Sequence, residues 1–202
     1  MTLYPVVMAS TQSFALPNSD APSTTHQVAL SALKVIACSI IIAAGAQLEL
    51  KLPYTPVPIT GQSLSVVIAG LTFGRKIALA GTFAYLCEGM IGLPVFSGGG
   101  SGIHHFAGPT GGYLIGFLPA AFVAGLARDK GITRSPIGVF LTVLAASVPI
   151  FAIGVLKLAL TIGNLSAALQ AGLYPFIPGD FIKALLASML TPIVTAKVPR
   201  LK

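Results

Sequence analysis

Six long apolar stretches, almost free of charged residues, constrain this chain more than any other feature. They cover residues 28–50, 62–73, 77–93, 110–126, 137–162 and 181–195. About a quarter of the residues in an ordinary soluble domain are charged; here the share is 8%, against 54% hydrophobic. Such a chain has too little charge to cover a water-facing surface, and lipid is the better solvent for it. The predicted fold is therefore an all-α integral membrane protein of six transmembrane helices. A polar N-terminal extension (1–27) precedes one membrane domain (28–202). A span takes about 20 residues, so the short stretches 62–73 and 181–195 are expected to run on into their flanking loops.

The net charge of +7 does not indicate nucleic acid. The basic residues stand singly or in pairs between apolar runs, with no basic stripe and no interleaved aromatics. Topology accounts for them. Arg75 and Lys76 lie between segments two and three, and Arg128, Lys130 and Arg134 between four and five. Lys197, Arg200 and Lys202 form the tail. These alternate connections fall on one side, and the positive-inside rule makes that side cytoplasmic, with both termini there. The opposite connections carry one basic residue near the membrane edge, Lys51. Residues 1–27 contain no Lys or Arg and lack the basic start and ordered apolar core of a secretory signal.

The outward connections have their own texture. The first is rigid, with Pro53, Pro56 and Pro58 closed by Gly61. The second reads GLPVFSGGGSGIHHFAGPTGG and the third contains LYPFIPGD. Non-helical backbone near a membrane persists where protein covers it or where it lines a cavity. Three such segments on one side suggest a lidded pocket opening outward. Plain flexible loops are the simpler alternative.

The strings PVPITGQSL, GLPVFSGGGSG, GPTGGYLIGF and PFIPGDFIKA, in that order, resemble the BioY family. These proteins are the biotin-specific S components of energy-coupling-factor transporters. The resemblance covers roughly residues 28–199. It implies an S-component-like six-helix bundle in a bacterial cytoplasmic membrane, with biotin held near the external face. It also implies energisation by a partner module of a transmembrane coupling protein and two ATPases. No G-x-x-x-x-G-K-[ST] string occurs, so any ATP hydrolysis through a P-loop belongs to partners. The expected role is binding and transport, not catalysis, with biotin as cargo and no cofactor. A subunit for another small carboxylated vitamin is the alternative, and association into a homo-oligomer is compatible with either.

Biotin presents a ureido ring, an apolar bicycle with a valeryl chain, and a carboxylate. Its site needs an acceptor for ureido N–H, donors for oxygen, and an apolar sleeve. Asp180 and Lys183 lead the candidates: they share a helix face at spacing i, i+3 and open segment six at its outer end. Asp180 is suited to accept from ureido N–H and Lys183 to donate to a ligand oxygen. Asp180 is equally placed to cap the helix, and Lys183 to snorkel. Phe96, Ser97 and Gly98 form a loop suited to closing over the ligand. Thr60 and Gln62 offer polar groups at the start of segment two. Tyr113 can stack on the bicycle or anchor the interface.

Other features read as structural. Gly112 and Gly116 form a GxxxG suited to close helix packing. Cys38 and Cys87 read as small core residues. His104 and His105 are adjacent and lack a third ligand, so no metal site is expected. Glu88 and Lys157 are ionisable residues inside apolar runs and are functional candidates by position alone. They either pair with each other or line a cavity. The nearest small-xxx-small pair on segment one, the expected contact for a coupling protein, is Ser39 with Ala43.

Overall fold

The computed structural model describes residues 24–195. The tail cations Lys197, Arg200 and Lys202, and most of the extension 1–27, lie outside the described residues. Among the described residues there are eight α-helices, one small hairpin and two short 3-10 turns (Ser97–Gly99 and Ile132–Arg134): α1 (Thr24–Gln47), β1 (Glu49–Leu50), β2 (Ile59–Thr60), α2 (Gln62–Phe73), α3 (Arg75–Met90), α4 (His104–Ala107), α5 (Gly111–Asp129), α6 (Pro136–Ile162), α7 (Leu165–Gly172) and α8 (Ile177–Thr195). β1 and β2 pair antiparallel, with Glu49 opposite Thr60.

Among the described residues, α1, α5 and α6 are long and apolar enough to cross a membrane. Their outward faces fit lipid: Ile36, Ile40, Leu156 and Leu160 are exposed.

Segment two does not extend as its length led us to expect. α2 has 12 residues, a rise of about 18 Å, and glycines stop it at both ends. Gly74 adopts φ 80°, ψ 171°, returns its N–H to Gly70 O, and turns the chain directly into α3. Arg75 and Lys76 are therefore the first residues of α3, not a connecting loop. Likewise Arg128 belongs to the last turn of α5. Arg75 Nε meets Asp129 Oδ2 at 3.4 Å, which brings the α2–α3 junction and the end of α5 to the same end of the bundle.

α5 is the central helix and packs on α6, α2 and α3. The GxxxG pair makes this contact close. A Cβ on Gly112 would lie 2.5 Å from Ile153 O, and one on Gly116 would lie 2.7 Å from Ile150 Cα. Only hydrogen fits between these backbones.

α6 opens with a Ser135 cap that accepts from Gly138 N, and with Pro136 in its first turn. It ends at Gly163, in the left-handed region at φ 77°. Asn164 then caps a new helix, α7, accepting from Ala167 N at 3.1 Å. The connection between α6 and α8 thus contains a helix where the sequence suggests a loop. α8 starts at Ile177, four residues before the apolar stretch, so segment six does run on into its flanking loop. Asp180 N donates to Phe176 O at 2.9 Å, so Asp180 is inside the helix and does not cap it.

Glu88 and Lys157 do not pair. Glu88 accepts from Ser39 Oγ, across α3 and α1, and Lys157 has no carboxylate partner among the described residues. The same bond turns Ser39 into the bundle, where it is 1% exposed. Ser39 and Ala43 therefore do not form an outward contact face.

Candidate functional site

The Gly/Pro segments converge on one cavity of about 330 Å³, within the size range of small-molecule sites. Its wall takes Pro56, Val57 and Pro58 from the connection between β1 and β2. It takes Phe96 and Ser97 from the α3–α4 connection, Tyr113 and Phe117 from α5, Phe151 from α6, and Phe176, Asp180 and Lys183 from the start of α8. Thr60 and Gln62 also line it. Gly98 is not among the lining residues.

The polar centre is the pair on α8. Lys183 Nζ lies 3.6 Å from Asp180 Oδ1 and donates to Ser63 Oγ at 2.9 Å. The two side chains are 17% and 10% exposed. Asp180 Oδ2 is buried and has no hydrogen-bond partner. An unengaged carboxylate oxygen in such a place is costly unless a donor comes to it.

Gln62 is held by α3. Tyr85 OH donates to Val95 O at 3.2 Å, so the phenol can only accept from Gln62 Nε2. The amide is thereby fixed, and its carbonyl oxygen remains as the acceptor of a residue that lines the cavity. Thr60 Oγ1 accepts from Gln62 N at 3.3 Å and so faces the start of α2.

The apolar side is aromatic. Tyr113 packs edge-on against Phe151, with ring centroids 6.5 Å apart, and beside Phe176 at 6.4 Å. Its hydroxyl donates to Gly172 O at 2.8 Å. Tyr113 is thus anchored to α7 inside the bundle, not at a lipid interface, and its ring is left to the cavity.

The loop over the cavity is pinned to the end of α1. Ser97 Oγ donates to Glu49. Gln47 Nε2 donates to Phe96 O at 3.2 Å, while its Oε1 accepts from Gly99 N at 3.1 Å. Gly98 permits this with φ 64°; a Cβ there would sit 2.7 Å from Glu49 Oε1. Lys51 Nζ bonds the same carboxylate at 3.0 Å. The Ser97 hydrogen bond, then Lys51, holds the Glu49 carboxyl below its usual range.

Glu49, Lys51, Ser63 and His105 also line the cavity and were not among the sequence candidates. Glu49 was signalled by rarity, as one of only five acidic residues. In the sequence, His105 beside His104 raises only the question of a metal. Among the described residues no cluster suited to a metal occurs. The arrangement can hold a flat apolar body between aromatic rings, accept hydrogen bonds at Asp180 and Gln62, and donate from Lys183.

The chain matches the model of the BioY family over residues 15–200. It is 37% identical to the biotin transporter BioY of Rhizobium etli, over 88% of this chain and 97% of that protein. It is 39% identical to the probable biotin transporter BioY of Pyrococcus horikoshii, over 81% and 93%. Its fold superposes on the crystal structure of the S-component for biotin from an ECF-type ABC transporter with a TM-score of 0.78. The identity is 28%, over 88% of this chain and 96% of the other. With its motifs, its fold and its relatives in agreement over most of its length, the chain belongs to the BioY family, the biotin-transporter S components.

Proposed function

We propose that this chain captures biotin in the cavity from the external side of a bacterial cytoplasmic membrane and passes it inward. A partner module of a coupling protein and two ATPases supplies the energy. The observation that carries the reading is Asp180 Oδ2, an unpartnered buried acceptor beside Lys183 in a cavity of about 330 Å³ walled by aromatic rings. A ureido N–H is the donor this oxygen lacks, and Lys183 donates to a ligand oxygen. Tyr113 and its aromatic neighbours sheathe the bicycle and chain. Thr60 and Gln62 complete the polar wall, and Phe96, Ser97 and Gly98 form the cover. The names of the relatives support biotin over other carboxylated vitamins. In this reading the chain crosses the membrane six times with both termini inside, supported by the one-sided basic residues. The short α2 is shielded by its neighbours.

Labelled biotin added to the purified full chain tests this. Binding is expected, weakened in Asp180→Asn and in Lys183→Ala. No binding by the intact chain would overturn the ligand; unchanged binding in both variants would overturn the site. Competition with other carboxylated vitamins checks selectivity. Uptake in cells lacking the energising module separates a dependent subunit from a self-sufficient carrier.

A further inference from the structure

His105 lines the cavity half-buried, and its ring makes no side-chain hydrogen bond with any described residue. The fold seats it there. The ring packs edge-on against Phe96 at 5.4 Å and beside His104 at 4.6 Å. It also occupies the space a side chain at residue 100 would need: a Cβ on Gly100 would lie 2.6 Å from Cε1 and 2.7 Å from Nε2. Both nitrogens are therefore uncommitted on a wall already carrying two carboxylates, Glu49 and Asp180, and two cations, Lys51 and Lys183. These lysines already face those acids in ion pairs. A ligand carboxylate entering the cavity adds an anion with no dedicated counter-ion.

We propose that His105 is a further binding residue of this cavity, taking up a proton as the ligand enters and serving as the counter-ion of the ligand's carboxylate. This rests on the reading that the cargo is biotin. The charged and titratable groups around it are His104 on its own element, Glu49 and Lys51 at the hairpin, Tyr113 on α5, and Asp180 and Lys183 on α8. Burial, and then the His104 neighbour, hold His105 below the ordinary imidazole value, so the unliganded cavity lacks this charge at neutral pH. A bound anion raises that value, because it favours the charged form. Binding then takes up a proton. Affinity is flat above the liganded value, rises as pH falls from the liganded value to the free one, and levels below. Glu49, held below its usual range, stays ionised through this window. Two unit charges 4 Å apart in water interact by about 1 kcal/mol, or about fivefold in affinity.

The test measures biotin affinity of the purified full chain from pH 8 to 5.5, where a free carboxylate stays ionised. Affinity is expected to tighten as pH falls, by up to about fivefold in full. This tightening should vanish in His105→Gln and with the uncharged primary amide of biotin, and persist in His104→Gln. Imidazole NMR gives a second reading: the His105 titration should move to higher pH when biotin is added. A flat profile in the intact chain, tightening that survives His105→Gln, or an unmoved titration would each overturn the proposal. Absence of biotin binding at every pH would instead overturn the cargo itself, and this proposal with it.

Discussion

Lys183 Nζ stands 3.6 Å from Asp180 Oδ1 on the same face of α8, while Oδ2 of that carboxylate is buried without a partner. The pair is half complete. The lysine sets a positive charge beside the carboxylate in a poorly solvated place and leaves one oxygen for an incoming donor. Such a site trades stability for binding, since an unengaged buried acceptor costs about 1–3 kcal/mol.

Breaking the pair on one side should therefore hurt more than removing both charges. Lys183→Met leaves an unpaired carboxylate. Because the site opens toward solvent, we expect a loss of about 3 kcal/mol, the low end for buried pairs. Asp180→Asn with Lys183→Met should recover much of that stability and still fail to bind biotin. Thermal unfolding of the two proteins checks this; equal losses would show that the pair is not electrostatically coupled.

The Glu49–Ser97 bond makes the cover pH-sensitive in a defined direction. Glu49 is depressed from its reference value of 4.5, first by Ser97 and then by Lys51. A depressed acid contributes stability above its unfolded value, and that contribution is lost as pH falls through the folded value. Amide-exchange protection of residues 97–99 should hold from neutral pH down to about 4.5 and fail below it. Ser97→Ala should move the loss of protection upward in pH. Identical profiles for the two proteins would remove Glu49 as the latch.

The Ser39–Glu88 bond joins α1 to α3 inside the bundle, where an unpaired group is expensive. Ser39→Ala alone should destabilise by about 1–3 kcal/mol. Ser39→Ala with Glu88→Leu should be close to neutral, because both polar groups go together. Unfolding in detergent measures both, and additive losses would contradict the pairing.

Some of this was readable in the sequence for physical reasons. Asp180 and Lys183 stand out because a charge inside an apolar run has few innocent explanations. Glu49 and Lys51 sit at the end of a run, where charge is ordinary, so only the fold reveals that they close a loop over the cavity. Hydropathy marked α2 at residues 62–73, yet span length argued for extending it. The decisive fact is the conformation of Gly74, which composition does not encode. α7 did leave a local signal, Gly163 followed by Asn164, a stop and then a cap. The Gly and Pro around that connection outweighed it. His105 was obscured by its neighbour: adjacent histidines raise the question of a metal first and of a cavity wall second.

Tyr85 offers the clearest check on how the bundle reaches the site. It is fully buried on α3, with 0% exposure, and does not line the cavity, yet it orients Gln62, which does. Tyr85→Phe removes one oxygen and leaves Gln62 Nε2 unpaired, at a cost of about 1–3 kcal/mol. The amide is then free to rotate and present the wrong group to the ligand. We expect biotin affinity to fall about tenfold, a loss of about 1.4 kcal/mol, with the aromatic packing against Phe96 at 5.6 Å retained. If Tyr85 acts through Gln62, the double variant Tyr85→Phe, Gln62→Ala should bind no worse than Gln62→Ala alone. Losses that simply add would mean that Tyr85 supports the fold and leaves the orientation of Gln62 to other contacts.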